Sequence, residues 1–125
     1  MSDIVRTSRP ENLFEGFTEA SREASQAMTS EDHEWWQREV TARMVRLAGY
    51  MAAGRPVDAP EVQAELDIQY ASIRRFWTPD AVAYKELAQA YVDDARFRRN
   101  CDRIRCGLAA YQRDAMVVYA EAWLS

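Results

Sequence analysis

Apolar residues recur along this chain at intervals of three and four positions, which is the spacing of one face of an α-helix. The clearest stripe steps by 4, 4, 3 and 4 positions and consists of Trp36, Val40, Met44, Leu47 and Met51. The sequence lacks the period-two alternation that a half-buried strand would give. The pattern therefore predicts an all-α protein.

Capping residues, prolines and glycines indicate where the helices begin and end. A weakly patterned helix is predicted over 11–27, a long one from Thr29 or Ser30 to about Ala53, and others over about 60–76, 79–92 and 107–124. A shorter helix between the last two is expected to be capped by Asp93 or Asp94 and to run through about Arg103. Gly54 is expected in the left-handed conformation, and Thr78 with Pro79 is expected to start the fourth helix. Five to six helices then form one compact bundle over 11–125, preceded by a flexible segment over 1–10.

Two of these helices carry specific expectations about burial. The fourth is expected to bury Ala83, Leu87 and Tyr91 and to hold Tyr84 off that stripe. The predicted core stripe of the last helix consists of Leu108, Tyr111, Ala115, Val118 and Ala122. A second apolar stripe beside it consists of Met116, Tyr119 and Trp123. In the long helix, Glu39 and Arg43 are expected to form an i,i+4 pair on the solvated side.

Composition limits the partners of this domain. A chain of 125 residues with 48% hydrophobic content can form one core, and its net charge of −4 argues against non-specific binding to a polyanion. The arginines between Arg96 and Arg105 are interpreted as a solvated helix face. No apolar run is long enough to span a bilayer and no signal peptide is evident, so we expect a cytoplasmic protein without membrane contact.

No recognisable constellation of catalytic or metal-binding residues occurs in the sequence. The only histidine, His33, lies between two acids at a predicted helix start, where a solvated side chain is favoured over an axial haem ligand. Cys101 and Cys106 are the only thiols, and with one histidine they are too few for a tetrahedral zinc site. HExxH, P-loop and GxGxxG motifs are absent. We therefore predict a non-enzymatic protein without metal or cofactor.

The order of residues in the last third of the chain is more specific. Tyr91-Val92-Asp93-Asp94-Ala95-Arg96-Phe97-Arg98-Arg99-Asn100 is followed by Asp102 and by Gly107-Leu108-Ala109-Ala110-Tyr111-Gln112-Arg113-Asp114-Ala115. This order resembles the TipAS antibiotic-recognition domain, and the likeness extends back to about Met28. The resemblance implies a globin-like topology and binding of thiopeptide or albicidin-like antibiotics. It also implies a place at the C-terminus of a MerR-type transcription activator, or a stand-alone drug-sequestering protein.

One departure from this resemblance affects the expected mode of binding. Thiopeptide-binding members carry a cysteine at the end of the middle helix, where this chain has Trp77-Thr78-Pro79-Asp80. Covalent capture by that thiol is therefore not expected, and binding should be non-covalent.

A surplus of aromatic residues indicates where a ligand would bind. Four tryptophans and six tyrosines exceed what the core stripes require, and several cluster in sequence around the Trp77-Thr78-Pro79 junction. We predict a ligand site formed by Trp36, Tyr70, Phe76, Trp77, Tyr84 and Tyr111 with Arg74 and Asp114 as polar contributors. Asp114 is expected either to face the cavity or to pair with Arg96 or Asn100, and the helix over 11–27 is a candidate lid.

The expected partner is a bulky amphipathic antibiotic or a similar small molecule. As part of a regulator the full-length protein would be a dimer whose DNA contacts lie in another domain, whereas the isolated domain would be a monomer. Two alternatives stay open at this point, a stand-alone sequestering protein and a helical protein-interaction domain that uses the aromatic residues as an exposed patch.

Overall fold

A computed structural model describes residue 23 and residues 26–125. The elements in this part of the chain are α1 (Ser30–Ala52), α2 (Pro60–Ile73), α3 (Ala81–Asp93), α4 (Ala95–Ile104), α5 (Leu108–Tyr119) and a π-helical turn (Ala120–Leu124). The residues so described contain no strand, and the prediction of an all-α helical bundle is confirmed. The predicted flexible segment over 1–10 and nearly all of the predicted helix and lid over 11–27 lie outside the described residues.

Helix α1 begins and ends as its sequence predicts. Thr29 is its N-cap, and the Thr29 hydroxyl and the Asp32 carboxylate each accept from the other residue's backbone N–H over 3.1 Å. Gly54 follows the helix with φ of 76°, the left-handed conformation expected there. The first four residues of the predicted stripe are buried, whereas Met51 is half-buried.

The expected solvated position of Arg43 is wrong. Its side chain is 1% exposed, because it lies three positions after Val40 and four before Leu47 and so borders the buried stripe. Glu39 is half-buried beside it and forms no ion pair with Arg43 within the described part of the chain. Helix α1 thus carries a cation into the core.

The connection between α2 and α3 also differs from the prediction. Helix α2 ends at Ile73, and α3 begins at Ala81 because the Asp80 side chain accepts from the backbone N–H of Ala83 over 2.8 Å. Asp80, rather than Thr78, is therefore the N-cap, and Pro79 lies before the helix instead of in its first turn. Residues 74–80 form a connection that brings several of the predicted site residues together.

Helix α5 packs against each of the other four helices of the described region and forms the centre of their packing. Gly107, with φ of 89°, precedes it, and Asp94, one of the two predicted caps, begins α4 by accepting from the N–H of Phe97. Tyr84 is fully buried, so its predicted position off the core stripe of α3 is wrong. The reason is that Tyr84 lies three positions before Leu87, which places both on the same helix face.

The C-terminal end of the bundle departs from regular α-helix. From Ala120 to Leu124 the backbone is π-helical, and its i→i+5 bonds change the angular spacing on which the predicted stripes depend. Ala122 is consequently exposed instead of buried, and Trp123 is 71% exposed although Met116 and Tyr119 of the same predicted stripe are buried. No helix in the described part of the chain is long and apolar enough to cross a membrane.

Candidate functional site

Three aromatic side chains meet where the connection after α2 reaches the start of α1. The ring of Phe76 lies 6.5 Å from that of Trp35 and 6.2 Å from that of Trp36, and the two indoles are 6.3 Å apart. We call Trp35, Trp36 and Phe76 the tryptophan cluster. Trp36 is buried, whereas the other two are half-buried and present ring surface at the edge of the core. These separations are favourable for aromatic packing.

A cation covers this cluster. The guanidinium carbon of Arg75 lies 4.1 Å from the ring centroid of Trp35 and 5.6 Å from that of Phe76. At such distances a guanidinium group is attracted by the ring faces while its N–H groups stay available to solvent or to a ligand. Arg74, the predicted polar contributor, is the exposed C-cap of α2. Because Arg75 is the arginine that packs on the rings of the cluster, the geometry favours Arg75 for that role.

Trp77 follows the tryptophan cluster in the same connection. Its side chain is half-buried, and its indole Nε1 is buried without a hydrogen-bond acceptor among the described residues. A buried N–H without an acceptor is destabilising by about 1–3 kcal/mol, which an acceptor on a ligand would offset. The predicted site residue Trp77 thus brings an unused donor to the region.

A second group of rings lies deeper in the bundle. Tyr70 and Tyr84 are 5.5 Å apart, and Tyr119 lies 5.9 Å from the first and 5.8 Å from the second. We call Tyr70, Tyr84 and Tyr119 the tyrosine cluster. Tyr70 is half-buried and donates to the carbonyl oxygen of Pro79 over 2.6 Å, so it links this cluster to the connection after α2.

Burial keeps the tyrosines of the core neutral. It is the main reason that the pKa of Tyr84 lies well above its usual value and that the pKa of Tyr91 is raised to about 12. The hydroxyl of Tyr84 donates to Oε1 of Gln69, and Nε2 of Gln69 donates to the hydroxyl of Tyr91 over 3.1 Å. These groups therefore offer hydrogen bonds and apolar surface, but no titratable group near neutral pH.

Two predicted site residues lie elsewhere on α5. The hydroxyl of Tyr111 donates to the carbonyl oxygen of Arg55 over 2.8 Å, which ties the start of α5 to the loop after α1. Asp114 is exposed, and its carboxylate accepts from Nε of Arg113 over 2.7 Å instead of from the expected Arg96 or Asn100. Tyr111 lies about 12 Å along the helix axis from Tyr119. The structure thus joins Trp36 to Phe76 and Tyr70 to Tyr84, whereas the hydrogen-bond partners of Tyr111 and Asp114 lie outside both clusters.

The sequence interpretation missed the polar groups inside the core. Arg43 is buried, its Nε and Nη2 meet no acceptor among the described residues, and desolvation lowers its pKa. Glu65 is 7% exposed, and its Oε2 accepts from Nε of Arg46 over 2.8 Å. The sequence signal for Arg43 is its spacing from the apolar stripe, whereas nothing local marks Gln69 as the residue between two tyrosines.

Comparisons with known proteins place this arrangement in context. The model of the TipAS antibiotic-recognition domain family matches residues 15–119. Two proteins described as HTH-type transcriptional activator TipA, from Streptomyces coelicolor and Streptomyces lividans, are each 36% identical to this chain over 112 residues, which cover 84% of the chain and 43% of the relative. This chain therefore spans less than half the length of these curated relatives.

A solved structure is also similar over nearly the whole chain. It shows TipAS of a thiopeptide antibiotic multidrug resistance system from Streptomyces lividans in complex with nosiheptide. The TM-score is 0.74 at 29% sequence identity, and the match covers 97% of this chain and 85% of the other.

Proposed function

This chain belongs to the TipAS family of antibiotic-recognition domains, and on that premise we propose that it binds a bulky amphipathic antibiotic or a similar small molecule without catalysing a reaction. The observation that carries the proposal is the packing of Arg75 over the tryptophan cluster. Trp77 follows in the same connection, and its indole N–H meets no acceptor among the described residues. Aromatic walls with a few polar groups are typical of small-molecule sites.

The arrangement assigns a role to each part of this site. Trp35 and Phe76 offer ring faces to planar or apolar groups of the ligand, and the buried Trp36 supports them from behind. Arg75 can donate to a ligand carboxylate or carbonyl, and Trp77 can donate to a second acceptor. Tyr70 and Tyr84 support the connection that carries these residues.

Binding is non-covalent in this proposal. The two cysteines of the chain are Cys101, which is buried in α4, and Cys106, which is exposed just before α5. The connection that carries Phe76 and Trp77 contains no thiol. Burial raises the pKa of Cys101 to about 12, so this thiol is a poor nucleophile near neutral pH.

We further propose that the domain is the sensor of a cytoplasmic MerR-type transcription activator. Its curated relatives are described as HTH-type transcriptional activators and are more than twice as long as the matched region. In such a protein DNA binding and dimerisation belong to segments outside this domain, which by itself would be a monomer. Ligand bound at the tryptophan cluster would then be the input to transcription.

Isothermal titration calorimetry with nosiheptide tests this proposal, because nosiheptide is the compound bound in the similar structure. The matched variants are Arg75→Gln, which removes the cation over the tryptophan cluster, and Arg99→Gln, which removes an exposed cation on α4. We expect saturable binding that Arg75→Gln weakens about fivefold or more and Arg99→Gln leaves unchanged.

The outcomes separate the function from the location of the site. Equal affinities of the two variants would refute the tryptophan cluster as the site while leaving antibiotic binding intact. If nosiheptide produces no heat, a panel of albicidin-like and other thiopeptide compounds is titrated in the same way. Lack of binding throughout that panel would refute the proposed ligand class.

A further inference from the structure

A groove separate from the tryptophan cluster lies between α2 and the C-terminal π-helical turn. Its volume is about 470 Å³, and it is lined by Pro60, Gln63, Ala64, Asp67, Tyr119 and Trp123. We call this the α2 groove. Tyr119 also belongs to the tyrosine cluster, whereas no residue of the tryptophan cluster lines the groove.

The acidic group of the α2 groove is held in place without a cationic partner. The hydroxyl of Tyr119 donates to Oδ1 of Asp67 over 2.7 Å, which orients the carboxylate and leaves its other oxygen available. Asp67 is exposed and has no Lys or Arg within ion-pair distance among the described residues. Burial and this hydrogen bond raise the pKa of Tyr119, which keeps its hydroxyl protonated as the donor.

None of the other charges around Asp67 forms an ion pair with it among the described residues. Arg74 lies about 10 Å further along the axis of α2, and its charge acts to lower the pKa of Tyr119, but it makes no direct contact with the Asp67 carboxylate within ion-pair distance. Glu61 is paired with Arg55 over 3.2 Å, and Glu121 is paired with Lys85 over 3.3 Å. Asp67 is therefore the carboxylate that lines the groove, and it has no ion-pair partner among the described residues.

Trp123 adds an aromatic ring with an unusually large exposure to the lining of the groove. Trp123 is 71% exposed because the π-helical turn changes its direction, although it lines the groove. π-Helical segments are frequent at functional sites. A groove that is lined by both an indole ring and a carboxylate can attract an organic cation, through the ring quadrupole and the opposite charge.

Gln63 adds a polar acceptor to the lining of the groove. Nε2 of Gln63 donates to the carbonyl oxygens of Val57 and Ala115 over 2.8 and 3.2 Å. This fixes the amide, and its Oε1 meets no donor among the described residues. A ligand that carries an N–H donor or a positive charge would complement this oxygen, whereas an anion would be repelled by Asp67.

We propose that the α2 groove binds a free monovalent organic cation, a protonated or quaternary amine. Its charge lies between the Asp67 carboxylate and the face of Trp123, and its alkyl groups contact Pro60 and Ala64. This proposal does not rest on the antibiotic-binding function, since none of its polar contacts involves the tryptophan cluster.

The test uses tetramethylammonium as the probe and the indole N–H signal of Trp123 in proton–nitrogen NMR spectra as the readout. Neutral tert-butanol of similar size and sodium chloride of equal ionic strength are the reference titrants. Asp67→Asn keeps an acceptor for Tyr119 but removes the charge, and Asp93→Asn is the matched control because Asp93 is exposed at the end of α3.

We expect a saturable shift of the Trp123 signal with tetramethylammonium alone, with affinity about fivefold or more lower in Asp67→Asn and unchanged in Asp93→Asn. Equal shifts with tert-butanol or sodium chloride, equal affinities of the two variants, or no saturable shift would each overturn the proposal. Nosiheptide binding is measured on the same samples, so failure of this site is distinguishable from failure of the antibiotic site.

Discussion

The Tyr70 hydroxyl donates to the carbonyl oxygen of Pro79 over 2.6 Å and so joins the last turn of α2 to the residue that precedes the cap of α3. Between these two residues lie Arg75, Phe76 and Trp77, which form most of the proposed antibiotic site. Pro79 is buried, so its carbonyl has little access to water as an alternative partner. This hydrogen bond therefore fixes the connection on which the site is built.

Tyr70→Phe should lower the free energy of unfolding by about 1–2 kcal/mol, because it removes the hydrogen bond and keeps the ring contacts with Tyr84 and Tyr119. Urea unfolding followed by circular dichroism measures the loss. Tyr50→Phe is the control, since Tyr50 is half-buried and its hydroxyl forms no hydrogen bond among the described residues. Equal losses in the two variants would contradict the role given to the Tyr70 hydroxyl.

Features that depend on neighbouring residues could be predicted from the sequence. The cap at Thr29, the left-handed Gly54 and the cap at Asp94 each follow from bonds within four positions of the residue. The stripe from Trp36 to Leu47 followed from helical spacing alone. These signals fix most helix boundaries and the class of the fold.

Features that depend on tertiary packing could not be predicted in this way. Thr78 and Asp80 are both residue types that cap helices well, so the sequence does not decide between them. In the structure Asp80 is the cap, and the residue before it, Pro79, accepts a hydrogen bond from the Tyr70 hydroxyl. Arg43 looks like a surface residue until the neighbouring helices close over it. In the candidate site, Phe76 and Trp77 could be predicted because they are adjacent in sequence at the end of a helix. The contact of Phe76 with Trp36 of α1 could not, because the two residues are forty positions apart.

Substitution by alanine should have opposite effects on stability at two glycines. Gly107→Ala should destabilise the protein by about 1–2 kcal/mol, because φ is 89° and a Cβ would lie 3.1 Å from Cε of Met51. Gly49→Ala, within α1, should stabilise it by about 0.5–1 kcal/mol, because a Cβ there meets nothing within 4 Å. Thermal unfolding of both variants measures these changes. A stabilising Gly107→Ala would contradict the left-handed junction before α5.

Arg43→Met should raise the free energy of unfolding by about 1 kcal/mol. The substitution removes a buried cation whose Nε and Nη2 meet no acceptor in the described residues, and it keeps a similar volume in the core. Arg46→Met is the contrasting variant, because it leaves the mostly buried Glu65 carboxylate without its partner and should destabilise. Unfolding of both variants in guanidinium chloride measures their free energies of unfolding. Destabilisation by Arg43→Met would show that the Arg43 side chain has hydrogen-bond acceptors in solution.

The raised pKa of Tyr91 predicts that the folded protein loses stability at alkaline pH. Burial raises the pKa of Tyr91 from 10.0 to about 12, so between these pH values the unfolded chain releases a proton that the folded protein keeps. Its contribution is therefore fully present below pH 10 and is lost as pH rises towards 12, by about 3 kcal/mol in total. Buried Tyr84 and Cys101 act in the same direction, because burial raises their pKa values as well.

Urea unfolding at several pH values between 8 and 11.5 measures this dependence, in the wild type and in Tyr91→Phe. We expect the wild type to lose stability more steeply above pH 10 than the variant, since phenylalanine cannot titrate. Tyr50→Phe serves as control and should keep the slope of the wild type. Parallel curves for wild type and Tyr91→Phe would mean that Tyr91 is accessible to water, in which case the hydrogen-bonded chain from Tyr84 through Gln69 to Tyr91 does not persist in solution.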